Sequence, residues 1–176
     1  VTDQLGISAG FAWLDSELTE NYCGFVNANG KPETRSDCPS IDEDGNPTTA
    51  DPEARKGTPL PVTPELKANA TVRYEFPVAT FDSYVQGSVV YSDERRTDLR
   101  DLENSIIGEM PSYTVADISA GFGKDGWRLE LFVANVFDEL AQVSRFAQCA
   151  ETVCGSEVYV VPQRPRTIGL KFSQEF

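Results

Sequence analysis

Three groupings of residues in this chain have types and spacings that could do chemistry. Gly6-Ile-Ser-Ala-Gly10 matches the G-x-S-x-G spacing that lifts a nucleophilic serine onto a strand-to-helix turn. A serine in that role needs a base to take its proton, and the chain contains no histidine. Its glycines and serine instead fill one face of an alternating strand. Asp42-Glu-Asp-Gly-Asn46, with Glu53 downstream, offers the oxygen donors of a calcium loop. Pro47 stands where an EF-hand needs glycine and no helical pattern flanks the segment, so a solvated acidic loop is the reading, with a loose divalent-ion contact left open. The third grouping is Cys23, Cys38, Cys149 and Cys154. Neither loop pair has C-x-x-C spacing, and no histidine completes a zinc site. Two local disulfides, Cys23–Cys38 and Cys149–Cys154, are the economical pairing and imply an oxidising compartment, although other pairings remain open. No catalytic, cofactor-binding or metal-ligating set emerges, so the expectation is a protein that is not an enzyme and carries no cofactor.

Composition narrows the partners. Asp and Glu number 28 against 15 Lys and Arg, a net charge of −13. Phosphate recognition needs a basic face, and no basic cluster interleaved with aromatics is present, so nucleic acid is excluded. No run approaches the 18 or so apolar residues of a membrane helix. A membrane barrel is compatible, because its strands are only half apolar. Val1-Thr-Asp-Gln-Leu-Gly-Ile7 has no basic start and no apolar signal core. The expectation is a fragment, one partial domain over 1–176, that lacks its N-terminal portion and any export signal.

Period-two alternation predicts six strands. The clearest runs from Leu66 to Phe76, where Leu66, Ala68, Ala70, Val72, Tyr74 and Phe76 alternate with Lys67, Asn69, Thr71, Arg73 and Glu75. Residues 5–13, 85–92, 115–122 and 127–134 alternate likewise. The sixth strand is the C-terminal one, with Ile168, Leu170, Phe172 and Phe176 on one face. The connections alternate too: long (19–64), short (76–81), long (93–111), short (121–127, with the hairpin pair Asp125-Gly126) and long (138–162). An up-and-down antiparallel meander with its long loops on one side produces that order. Tyr74, Phe76, Phe81, Phe122, Trp127, Phe172 and Phe176 cluster beside the short turns or the C-terminus, and Trp13, Tyr91, Tyr113, Phe137 and Tyr159 near the long loops. Two aromatic belts around an aliphatic band fit the two interfaces of a membrane.

Four segments carry a family resemblance. Gly57-Thr-Pro-Leu-Pro-Val-Thr-Pro-Glu-Leu-Lys67 with Asn69 and Tyr74 forms a proline-rich return into a strand. Pro111-Ser-Tyr-Thr-Val-Ala-Asp117 enters the next descending strand. Asn135-Val-Phe-Asp138 tops the penultimate strand, and Pro165-Arg166-Thr167 opens the closing one. In this order and spacing they resemble the C-terminal part of a TonB-dependent outer-membrane receptor. Val136 replaces that family's usual Leu, and Gln174 stands where an apolar residue is common.

The resemblance implies the C-terminal segment of a transmembrane β-barrel of roughly 22 strands around a plug. It implies import of a scarce nutrient (a ferric siderophore, cobalamin or an oligosaccharide) with energy from the TonB complex, which would contact an absent N-terminal region. Implied partners are outer-membrane lipid and lipopolysaccharide, the remaining barrel and plug, and the barrel-assembly machinery, which would read Ile168, Leu170, Phe172 and Phe176. The long loops would be extracellular and the C-terminus periplasmic. Asp117, Asn135, Asp138 and Arg166 hold motif positions at strand ends or the lumen. Tyr22, Arg95, Arg96, Arg100 and Arg145 are the loop residues expected to meet ligand, since Arg and aromatics recur at recognition hot spots. The alternative is a complete small soluble module, a β-sandwich or lipocalin-like barrel.

Overall fold

The computed structural model describes residues 3–24, 38–41, 44, 46–147 and 157–175. In chain order the elements are β1 (Leu5–Trp13), β2 (Cys38–Ile41), β3 (Pro47–Ala50), β4 (Leu66–Val78), β5 (Phe81–Ser92), α1 (Asp101–Ile107), β6 (Tyr113–Lys124), β7 (Trp127–Ala134), β8 (Gln142–Phe146), β9 (Tyr159–Pro162) and β10 (Thr167–Gln174). The six expected strands form one antiparallel sheet in the order β1-β4-β5-β6-β7-β10. The other four strands pair as two small hairpins, β2 with β3 and β8 with β9, inside the long connections. The sheet is open: among the described residues β1 and β10 each pair on one side only.

Two-residue turns set the register at one end. Val78 faces Phe81 across Ala79-Thr80, and Lys124 faces Trp127 across Asp125-Gly126. Asp125 and Gly126 have φ of 50° and 87°, the pair of positive values that a type I′ hairpin needs. The strands therefore run closer to the turns than the alternation alone predicts.

Register propagates in rows. Leu5, Tyr74, Val85, Ala120, Leu131 and Leu170 stand side by side on one face, and Ile7, Val72, Gly87, Ile118, Val133 and Ile168 form the next row. The opposite face reads Ser8, Thr71, Ser88 and Asp117 in one row and Glu75, Tyr84, Gly121, Glu130 and Lys171 in another. No second layer covers the apolar face among the described residues. Phe11 is 82% exposed and Leu170 71%. A soluble sandwich or lipocalin would bury such a face against another sheet or inside a closed barrel.

The aromatics at the short-turn end pack as a triad and a separate pair. Phe81, Phe122 and Trp127 pack edge-to-face with centroids 5.8–5.9 Å apart, and Tyr74 stacks on Phe76 at 5.5 Å. At the other end the expected belt is only partly present. Trp13 and Tyr91 share the apolar face, whereas Tyr113 pairs with Ser92 on the polar face. Tyr159 stacks on Phe146 at 5.7 Å within the β8–β9 hairpin. Strand parity explains the difference: position along the chain places a residue near an end, but odd or even count decides its face.

Val62 adopts φ 61°, a region that costs a β-branched residue roughly 1–2 kcal/mol. Its N–H donates to the Arg96 carbonyl at 2.9 Å, which holds the turn in place. Val62→Asn keeps that bond and tolerates the conformation. The expected gain is about 1 kcal/mol, read as a higher unfolding midpoint for the variant.

Candidate functional site: loop cap and polar wall

The described parts of the long connections are folded in detail. In residues 14–65 the outgoing and returning legs pair: Leu18 N–H donates to the Thr58 carbonyl at 2.9 Å, and Tyr22 and Ala54 exchange backbone bonds of 2.8 and 3.1 Å. Cys23 and Cys38, each 1% exposed, are joined in a disulfide with Cα atoms 5.5 Å apart. A loop closed over 15 residues stabilises by about 3 kcal/mol in the chain-entropy view. Tyr22 stands beside this link, half-buried. Cys149, Cys154 and Phe176 lie outside the described residues, as does most of the acidic segment 42–46. Among the described residues no group of three or more acids, cysteines or histidines could hold a metal.

The connection from β5 to β6 is built around Asn104, which is 7% exposed. Its side-chain oxygen accepts Thr97 N–H at 3.0 Å, and the Thr97 hydroxyl, with one proton to give, lies 2.8 Å from the Gly108 carbonyl and 3.1 Å from that same oxygen. The expected ligand-contacting arginines of this connection are all engaged. Arg96 donates to Asp101 at 2.9 Å and to the Asp98 carbonyl at 3.3 Å. Arg100 pairs with Asp98 at 3.1 Å and with Glu103. Arg95 is 8% exposed, donating to the Ser92 hydroxyl at 3.1 Å and the Gln142 carbonyl at 2.9 Å. Arg145 donates to the Glu109 carbonyl at 2.9 Å.

Burial alone would raise the Asp98 carboxyl, but hydrogen bonds from the Arg100 side chain and backbone, with the charge of Arg96 nearby, hold it below its ordinary value. A carboxyl depressed by folding contributes stability that is present above its unfolded pKa and is lost as pH falls through the folded one. Amide protection at Arg100, whose N–H donates to Asp98 at 2.9 Å, should therefore hold from neutral pH down to about pH 5 and fall below about pH 4.

The Asn135-Val-Phe-Asp138 turn ties three strand ends together. Asn135 is 3% exposed with φ 52°, and Asp138 has φ 56°, a conformation these two residue types tolerate best after glycine. The Asn135 side chain donates to the Glu139 carbonyl at 2.9 Å and the Arg164 carbonyl at 3.2 Å, and accepts Glu139 N–H at 2.8 Å. Its backbone N–H donates to Asp117 at 2.7 Å, from β6. Asp138 accepts the Arg166 N–H at 2.8 Å, at the entrance of β10. All four motif residues thus serve a structural joint. Asn135→Ala would strand buried partners and is expected to cost about 3 kcal/mol, measured by equilibrium unfolding.

The polar face carries a charged cluster centred on Tyr84, a residue that the sequence did not single out. Tyr84 is 5% exposed, its hydroxyl donates to Glu130, and the Arg73 guanidinium stacks 3.6 Å from its ring centroid. Arg73 also pairs with Glu75 at 2.7 Å. Gly121 makes the cluster possible, since a Cβ there would come within 2.6 Å of the Tyr84 ring. Lys67, Arg128 and Lys171 share this face. Ile168, Leu170 and Phe172 lie on the other one.

A continuous apolar face, a charged polar face and long loops at one end define the wall of a transmembrane barrel. Residues 3–136 match the family model for the β-barrel of TonB-dependent receptor-like proteins, and the chain belongs to that family. Among solved structures, the chain is similar in fold to the siderophore receptor PiuA from Acinetobacter baumannii, with a TM-score of 0.62 at 22% identity. That likeness covers 98% of this chain and 19% of the receptor, so the chain spans about a fifth of the receptor's length. No curated protein matches the chain.

Proposed function

We propose that this chain is one partial domain, 1–176, of an outer-membrane receptor that imports a scarce nutrient, and that it supplies barrel wall and three extracellular loops. The observation that carries this reading is the sorting of side chains by register. The mid-sheet rows put aliphatic and aromatic groups on one face and mostly polar or charged groups on the other, with Val90, Val115 and Phe132 as apolar exceptions on the polar side, and the apolar face is uncovered among the described residues. The family supports a nutrient ligand and coupling to the TonB complex. The siderophore named for PiuA makes a ferric siderophore the first ligand class to test; cobalamin and oligosaccharides follow. The polar wall would face a plug, and the free edges of β1 and β10 would pair with the remaining barrel. Lipopolysaccharide would surround the loops, the short turns would be periplasmic, and the strand face bearing Ile168, Leu170 and Phe172 would meet the assembly machinery.

Of the loop candidates, Tyr22, Arg96 and Arg100 keep part of their side chains at the surface and are proposed to meet ligand. Two experiments test the reading. In the intact receptor, Leu131→Arg at mid-wall should destabilise by about 2–4 kcal/mol, while Ser119→Arg on the polar face should be tolerated. Cells lacking the gene should lose energy-dependent uptake of one of the three nutrient classes and regain it with the intact gene. Unchanged uptake of all three, together with a detergent-free soluble protein, would refute the proposal.

A further inference from the structure

The three long connections are joined to one another in series. From residues 14–65, the Glu53 carbonyl accepts the Asp101 N–H of α1 at 2.7 Å, and Val62 N–H donates to the Arg96 carbonyl at 2.9 Å. From residues 93–112, Arg95 reaches the Gln142 carbonyl at 2.9 Å, and the Glu109 carbonyl accepts Arg145 at 2.9 Å. Arg145 lies against Gly108, where a Cβ would come within 3.2 Å of its guanidinium. Arg95 and Met110 exchange backbone bonds of 3.0 and 2.9 Å. Met110, Ser92 and Ala141, each 1% exposed, are buried around these bonds. The middle connection therefore touches both of its neighbours.

Arg95 is an unusual residue to find buried. Removing a guanidinium from water is costly unless its donors are met, and buried charges are normally paired. Among the described residues no carboxylate lies within ion-pair distance of it; its donors go to a hydroxyl and a carbonyl, and it sits 5.5 Å from the Tyr113 ring centroid. Two features make the burial tolerable. A planar fork satisfies two segments at once, which a lysine ammonium does less well. Glu65, Asp93, Glu94 and Glu109 also line the same hollow as Arg95, so the cation sits in a favourable field.

We infer that the described parts of the three connections (14–24 and 46–65, 93–112, and 135–147 with 157–166) move and open as a single cap, with residues 93–112 as its keystone. Arg95 and Arg145 are positioning residues that hold residues 135–166 to that keystone, and they do not contact ligand. An ordering event at any one connection is then felt by all three. This goes beyond the transport reading and does not depend on which nutrient is carried.

Amide hydrogen exchange on the intact receptor tests it. Arg95→Met keeps length and apolar bulk but removes the fork. Exchange at Gln163, whose N–H donates to the Ala141 carbonyl, and at Met110 should rise roughly tenfold or more, Asp101 and Val62 should follow, and the amides of β5 and β6 should not change. Arg95→Lys should fall between. If Arg95→Met does not accumulate folded, Arg145→Met, which is less buried, should accelerate the same amides. Acceleration confined to the chain neighbours of the substituted residue would overturn the single cap. A loss of affinity for the transported nutrient with unchanged exchange at Gln163 would overturn the positioning role.

Discussion

A one-residue slip between any two of the six strands would carry Ile7, Val72, Ile118, Leu131 or Leu170 onto the polar face and Arg73, Asp117 or Glu130 onto the apolar one. Side-chain direction has a period of two, so there is no small error in such a sheet. The two tight turns fix this registration at one end, where Asp125-Gly126 supplies the required twist. At the other end the joint around Asn135 does so, linking β6, β7 and the entrance to β10 through Asp117, Asp138 and Arg166. The rows between these points follow from the two ends. The apolar and polar faces are thus one consequence of a few local bonds, read out across six strands.

The six strands were legible because each alternates over eight or more residues, and the long-short order of connections gave the meander. The Cys23–Cys38 link was legible as the economical pairing of two cysteines in one connection. Other features carry little local signal. The helix Asp101–Ile107 is too short to show a 3.6-residue period, and β2, β3, β8 and β9 are four or five residues each. Tyr84 could be placed on the polar face by parity, but its contact with Glu130 and with the space above Gly121 depends on residues 37–46 positions away. The arginines were singled out by type alone. Only the fold shows that Arg95 is consumed within the protein and that Arg100 keeps a partly exposed side chain.

The polar wall shows how a barrel interior can be charged and still ordered. Arg73 touches Tyr84, Glu75 and Gln86, so one guanidinium orders three neighbours across two strands. Glu130 is met by the Tyr84 hydroxyl. Such networks hold side chains in fixed positions beside whatever occupies the lumen, and a fixed charged surface loses less entropy on meeting a partner than a mobile one.

The Cys23–Cys38 bond has a consequence in time. Both cysteines lie inside the connection between β1 and β4, and neither belongs to a strand of the main sheet. It can form before any of the six strands has found its neighbour. Shortening the path from Trp13 to Leu66 changes loop-closure free energy by only about 0.3 kcal/mol, too little to matter by itself. What it changes is sequence of events: the β2–β3 hairpin can be finished as a small unit, and the slow, non-local pairing of β1 with β4 then joins two ends of an already folded piece.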